Sequence, residues 1–277
     1  MAHKSMSDKT IDFGFEDIPV EEKASRVRGV FDAVAGKYDL MNDAMSMGVH
    51  RIWKDLTITK LNPQPGELLI DVAGGTGDLA RRFIKRAEEV RFRRGGDPAR
   101  AIICDINAEM LLAGIDAQKD AGMDLTRVCG NAQSLPFPDN YANAITISFG
   151  IRNVTDRDMA LRDFLRVLKP GGRLFVLEFS TPPDKILRKI YDTYSFNVIP
   201  KLGGLLANDE ASYQYLVESI RKFPKQDMFL DMIKTAGFSR AGYHDFTGGV
   251  AALHWGCLLY TSPSPRDQRG PRMPSSA

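Results

Sequence analysis

The chain has 277 residues, 43% of them hydrophobic, with 37 Lys and Arg against 35 Asp and Glu and a net charge of +2. That balance is typical of an ordinary globular protein and gives no electrostatic case for a nucleic-acid partner, while no apolar run approaches the ~20 residues of a membrane span. Cys104, Cys129 and Cys257 form no C-x-x-C pair, and His3, His50, His244 and His254 have no metal-ligand spacing, which argues against a disulfide framework and a metal centre.

Residues 1–20 are polar and broken by Gly14 and Pro19, so a disordered segment is expected there. Val27, Val30, Phe31 and Val34 then fall at helical steps, Tyr38-Asp39-Leu40-Met41-Asn42 interrupts the pattern, and a second amphipathic stretch covers 49–61. Pro63-Gln64-Pro65-Gly66 ends it. Short apolar runs next alternate with helical patterns: strands at 68–72, 101–106, 125–130, 144–149 and 174–179, and helices at 77–89, 108–121 and 156–168. Arg91-Phe92-Arg93-Arg94 reads as solvated loop, the start of a polar insertion over 91–100. Residues 184–224 form a helical, aromatic-rich insertion, followed by a helix at 226–236 and a hairpin of 240–246 with 250–255 around Thr247-Gly248-Gly249. Residues 257–277 lose all periodicity and read as a disordered, non-native tail. Strands without polar alternation, separated by helices, imply an α/β domain over 21–256: a mostly parallel sheet with helices on both faces and a C-terminal antiparallel hairpin.

The strongest local motif is Asp71-Val72-Ala73-Gly74-Gly75-Thr76-Gly77, between a strand and a helix. Glycines there let the backbone turn sharply and approach a ligand closely. Asp105, followed by Ile106, closes the next strand, where a carboxylate can accept both ribose hydroxyls of a nucleoside. The loop does not follow G-x-G-x-x-G and carries no basic residue for a pyrophosphate. S-adenosylmethionine, which has no phosphate and is cationic, suits it better. Gly130-Asn131-Ala132 ends the third strand and can offer an amide and an apolar wall to adenine; Ser148-Phe149-Gly150 ends the fourth, where donor and acceptor should meet. A helix N-cap is the structural alternative for Asp105.

Those motifs resemble the ubiquinone/menaquinone biosynthesis C-methyltransferase family. The resemblance extends through Phe31-Asp32-Ala33-Val34-Ala35-Gly36-Lys37-Tyr38-Asp39-Leu40-Met41-Asn42, residues 131–140, Ile145-Thr146-Ile147-Ser148-Phe149-Gly150-Ile151-Arg152-Asn153-Val154, 166–179, 191–196 and Ala207-Asn208-Asp209. It implies the Rossmann-like fold of class I methyltransferases, with a seven-stranded sheet and S-adenosylmethionine as methyl donor without a metal. The implied reaction is C-methylation of a polyprenyl quinol: demethylmenaquinol, 2-methoxy-6-polyprenyl-1,4-benzoquinol, or both. Thr76, Asp105, Asn131, Ala132 and Ser148 match the family's donor contacts, and Asp71, Gly74, Gly75, Gly77 and Ile106 complete the expected donor site. Arg152 is the leading candidate for quinol activation, by stabilising the phenolate or organising a water that takes its proton. Asn153 would orient the quinol oxygen, and Tyr38 and Asp39 would close over donor or ring. Phe149 and Tyr194 would line the acceptor pocket.

Ile186, Leu187, Ile190, Tyr191, Tyr194 and Val198 share helical spacing and are expected to form a quinol-covering lid able to touch a membrane surface transiently. The polar N-terminus suggests a cytoplasmic protein, peripheral at the inner membrane face, and the resemblance leaves a homodimer open. Two other readings stay open: methylation of another small hydrophobic acceptor, and a non-catalytic nucleoside-binding protein.

Overall fold

The computed structural model describes residues 10–34, 38–201, 204 and 210–259, with the backbone alone at 33, 34 and 38–40. The chain opens with a short antiparallel hairpin, β1 (Thr10–Phe13) and β2 (Glu16–Pro19), turned at Gly14 with φ +62°. Residues 10–19 are therefore ordered structure, contrary to the expected disorder of 1–20. Three helices follow: α1 (Val20–Val34), α2 (Tyr38–Ser46) and α3 (His50–Leu61). Tyr38–Asn42, read as an interruption, belongs to α2.

The main sheet then begins. In chain order come β3 (Leu68–Val72), α4 (Asp78–Arg94), β4 (Arg100–Asp105), α5 (Ala108–Ala113), β5 (Asp124–Cys129), β6 (Ala142–Ser148), a 3₁₀ turn (Ile151–Asn153), α6 (Arg157–Val167) and β7 (Leu168–Phe179). The chain is completed by α7 (Lys185–Asn197), α8 (Glu210–Lys222), α9 (Gln226–Thr235), β8 (Arg240–Phe246) and β9 (Ala251–Cys257). The seven strands lie in the order β5-β4-β3-β6-β7-β9-β8, all parallel except β9, which runs antiparallel to both neighbours.

Each central strand feeds two cores. Leu69, Ala101, Ile103, Ala144, Phe175 and Leu177 pack toward α2, α3, α4, α7 and α8, and the alternate residues Ile70, Val72, Ile145, Ile147 and Val176 pack toward α6 and α9. Burial on both faces explains why these strands show no polar alternation.

Two boundaries depart from expectation for tertiary reasons. The Arg91-Phe92-Arg93-Arg94 run is the last turn of α4, closed by Gly95 with φ +74°, rather than loop. Helix α5 stops at Ala113 instead of 121. The Gly114 carbonyl there accepts hydrogen bonds from Arg81 Nη2 at 2.5 Å and Arg127 Nη2 at 2.9 Å, so side chains from α4 and β5 take an acceptor that the helix would use.

Candidate active site

Strand order reverses between β3 and β6: from β3 the chain crosses outward to β4 and β5, then returns to β6. At such a switch point the connections diverge and leave a crevice beyond the strand ends. A cavity of about 910 Å³, including space open to solvent, lies there. Its walls come from Val72, Ala73 and Gly75 after β3, Asp105–Asn107 after β4, Gly130–Gln133 after β5, and Phe149, Gly150 and Asn153–Thr155 after β6. Ala24, Val27, Arg28 and Phe31 of α1 close it from above.

The backbone at the switch is tight. Ala73 and Phe149 both adopt left-handed φ, +48° and +55°, an uncommon conformation for residues with a side chain and one that concentrates at functional sites. A Cβ on Gly150 would lie 2.6 Å from the Ala73 Cβ, so the segments leaving β3 and β6 can approach this closely only because position 150 is glycine. The Gly77 turn, with φ +82°, starts α4, and a Cβ there would meet Ile103 Cδ1 at 2.3 Å.

Asp105 sits at the β4 tip facing the cavity. Its Oδ2 accepts from Gly75 N and its Oδ1 from Asn107 N, both at 2.9 Å. Burial raises its pKa, against the pull of those backbone amides. The helix cap is Asn107, whose side chain accepts from Met110 N at 3.2 Å, so Asp105 is free of that duty. Gly75, Ile106, Asn131 and Ala132 join Asp105 in the cavity wall.

The other donor-site candidates do not line that cavity. Asp71 is buried, and its Oδ1 accepts from Thr146 Oγ1 at 2.7 Å, across the paired register of β3 and β6. Burial pushes its pKa up to about 7, against the Thr146 bond and the nearby Lys54 ammonium. Asp71 packs tightly under the glycine turn: a Cβ on Gly74 would lie 2.8 Å from its carbonyl oxygen and 3.0 Å from its Oδ2. Gly74 and Gly77 are joined by the bond that Gly77 N donates to Gly74 O at 2.8 Å. Thr76 gives its carbonyl to Arg81 Nη1 at 2.7 Å, and Ser148 Oγ is buried with no hydrogen-bond partner among the described residues.

Arg152 departs most from expectation. It is 2% exposed and absent from the cavity wall. Its Nη1 donates to Glu178 Oε1 at 2.5 Å and to the Phe149 carbonyl at 2.8 Å, while its backbone N donates to Glu178 Oε2 at 3.3 Å. The guanidinium thus ties the 3₁₀ turn to the end of β7, set back from the cavity in which the sequence expectation placed a quinol-activating group. Asn153, the next residue, does reach the cavity. Phe149 borders the cavity, and its ring packs back on Phe179 with 4.7 Å between centroids. Tyr194 donates to Ala44 O at 2.7 Å, which docks α7 on α2, and it does not line this cavity. The side chains of Tyr38 and Asp39 lie outside the described residues.

The expected lid face of α7 is split. Tyr191 is buried and Leu187 half-buried, whereas Ile186 and Ile190 are 73% and 63% exposed.

Sequence reasoning missed α1 as the wall that covers the strand tips. Its apolar stripe was readable from spacing, but nothing local says that it covers strand tips some 40 to 120 residues downstream. The bond from Asn107 Nδ2 to Asp32 Oδ1, 2.7 Å, fastens it there. Glu178 and Tyr215 were missed likewise, since each acts through a partner distant in sequence.

Comparison with known proteins agrees with this geometry. The ubiE/COQ5 methyltransferase family matches residues 20–258. Over 254 residues the chain is 57% identical to the ubiquinone/menaquinone biosynthesis C-methyltransferase UbiE of Caulobacter vibrioides, covering 92% of this chain and 100% of that one. It is 47% identical to the mitochondrial 2-methoxy-6-polyprenyl-1,4-benzoquinol methylase of Danio rerio, over 93% and 88% of the two chains. In fold it is similar to a SAM-dependent methyltransferase from Aquifex aeolicus, with a TM-score of 0.53 at 14% identity over 74% of this chain and 89% of that chain.

Proposed function

This chain belongs to the ubiE/COQ5 methyltransferase family, and from that premise we propose that its switch-point cleft C-methylates the ring of a polyprenyl quinol. The acceptor is a demethylmenaquinol, a 2-methoxy-6-polyprenyl-1,4-benzoquinol, or both, as the names of the two relatives indicate. One observation carries the reading: a single cleft runs across the tips of β5, β4, β3 and β6, with Asp105 toward one end and Asn153 at the other.

The residues present fit S-adenosylmethionine. Each Asp105 oxygen takes one backbone N–H and keeps a lone pair for a ribose hydroxyl. Ile106, Ala132 and Met110 supply apolar surface for the adenine, and the glycine turn offers backbone with no cation that would select a phosphate. When bound, S-adenosylmethionine supplies an electrophilic methyl group on a sulfonium.

The chain's own work is alignment and exclusion of water. A quinol carbon becomes nucleophilic once a ring hydroxyl loses its proton, so the protein must hold the ring oxygen and favour its anionic form. Fixing two reactants in line contributes roughly 7–11 kcal/mol. The α1 wall, with Val27 and Phe31 lining the cleft, would keep solvent from a bound methyl donor. No helix among the described residues is long and apolar enough to cross a membrane. A membrane-dissolved quinol would then be drawn from the bilayer surface, and the exposed Ile186 and Ile190, with Lys185 and Lys189 beside them, offer one apolar and basic contact.

The test is transfer of a radiolabelled methyl group from S-adenosylmethionine into short-chain naphthoquinols and benzoquinols. Labelled C-methyl product from at least one class supports the reading, and Asp105→Ala should abolish it by weakening donor binding. Binding of S-adenosylhomocysteine without methylation of either quinol class would overturn it.

A further inference from the structure

We propose that Tyr215 is a positioning residue for methyl transfer: it locks the Asn153 amide so that its N–H groups face the cleft and donate to the acceptor's ring oxygen as that oxygen gains negative charge. The inference rests on the quinol reading above and deepens it.

The argument starts with the turn. Asn153 ends the 3₁₀ turn, and its N–H donates to Gly150 O at 3.1 Å. The neighbouring Arg152 pins the backbone through Glu178 and the Phe149 carbonyl. Backbone placement is therefore settled by the buried ion pair, which leaves the Asn153 side chain with two torsions to fix.

Tyr215 fixes them from behind the cleft wall. It projects from α8, is 5% exposed, and stacks on Phe13 of the N-terminal hairpin with 4.2 Å between ring centroids. Its hydroxyl donates to Asn153 Oδ1 at 2.9 Å. A buried phenol must place its proton on an acceptor, and among the described residues that oxygen is its hydrogen-bond partner. Burial also raises the phenol pKa well above its usual value, so Tyr215 remains a donor throughout the working range.

With Oδ1 committed, Asn153 has only Nδ2 to offer. That nitrogen is buried and has no partner among the described residues, although the residue lines the cleft. A buried donor without an acceptor is unfavourable, and a ligand that brings an acceptor relieves it. The group is also selective. It cannot accept a proton from a neutral quinol hydroxyl, whereas an anionic oxygen can only accept, and charge-assisted bonds of that kind are roughly twice as strong as neutral ones. The arrangement therefore favours the deprotonated ring, whose carbon is the nucleophile.

The test is a double-mutant cycle on the full-length protein: wild type, Tyr215→Phe, Asn153→Ala and the double variant, assayed with a short-chain naphthoquinol across pH. Tyr215→Phe should lower kcat about tenfold near pH 7, a fraction of the loss seen when an oxyanion donor is deleted outright. The KM for S-adenosylmethionine should stay within about twofold, and the acidic limb of the kcat profile should move up by about one pH unit, the same tenfold expressed as acceptor ionisation. In the Asn153→Ala background, Tyr215→Phe should change kcat by less than about twofold, since its target is gone. Independent losses that multiply, a loss carried by the donor KM, or an unmoved pH limb would overturn the proposal.

Asn153→Asp provides a second arm that leaves Tyr215 and its packing in place. It keeps the acceptor for Tyr215 but replaces the N–H donors with a negative oxygen, so kcat should fall about a hundredfold or more while S-adenosylhomocysteine still binds by calorimetry. Retention of a tenth of wild-type turnover would refute the assignment. A wild-type chain that methylates no quinol overturns the functional reading, whereas an active wild type with an additive cycle overturns this inference alone.

Discussion

At residue scale, two buried carboxylates do work that their place in the sequence only half reveals. Asp71 was readable as part of a ligand loop because it precedes the glycines, but its side chain points back to Thr146. Side-chain direction at a strand end depends on which neighbour supplies a hydrogen bond, and Thr146 lies 75 residues away. Its folded pKa of about 7 lies above the ordinary 3.8, so the native state holds a proton that the unfolded chain releases. That contribution to stability is complete below about pH 4 and is lost as pH rises through 7. Asp71→Asn keeps the size of the side chain and removes the titration. It should match wild type near pH 4 and be more stable by roughly 2–4 kcal/mol at pH 8, as read from urea midpoints at several pH values. A difference that stays constant with pH would contradict this account. Glu178, by contrast, holds Arg152 in an ion pair in which both side chains are 1% exposed. Removing one partner of such a pair strands a buried charge, so Arg152→Ala should lose about 3–5 kcal/mol by denaturant titration. A loss under 1 kcal/mol would return Arg152 to solvent and reopen its direct role.

At the scale of elements, the strands were legible and the covering pieces were not. Strands β3, β4 and β6 announce themselves as apolar runs because both of their faces are buried. The hairpin of β1 and β2 is polar and short, and what orders it is remote: Phe13 stacks on Tyr215, and Phe15 N donates to Glu218 Oε2 at 2.9 Å. Helix α1 was legible as a helix and illegible as a wall. Its fastening is Asn107, which caps α5 with its oxygen while its nitrogen holds Asp32 on α1. One side chain therefore couples the β4 end of the cleft to the element that closes it. Asp32→Ala should leave α5 capped and free α1 at that point. A part-exposed bond to a charged group contributes on the order of 1 kcal/mol, so S-adenosylhomocysteine should bind about three- to tenfold more weakly, with little change in thermal stability. Unchanged affinity by calorimetry would mean that α1 is held by its apolar face alone.

Across the whole molecule, the alternation of strands and helices predicts where a ligand binds better than it predicts which side chains touch it. A parallel sheet whose order reverses leaves a crevice beyond the carboxyl ends of its strands, and the glycine turn and Asp105 mark that end in the sequence. The cover comes from elsewhere: α1 closes the cleft, and behind it the hairpin and α8, some 200 residues apart, meet through Phe13 and Tyr215, whose hydroxyl holds the cleft residue Asn153. An early segment thus covers, and a late one supports, a site whose floor the central strands supply. Ligand binding should therefore be felt as one event by segments far apart in sequence. At one hundred times its dissociation constant, S-adenosylhomocysteine should stabilise the fold by about 2.7 kcal/mol. Hydrogen exchange measured with and without it should slow together in 10–32 and 210–222, while amides of β8 and β9, at the far edge of the sheet, should change little. Protection confined to the tips of β3 and β4, with 10–32 exchanging as freely as before, would show that the strand ends hold the nucleoside without help and that α1 does not act as a wall.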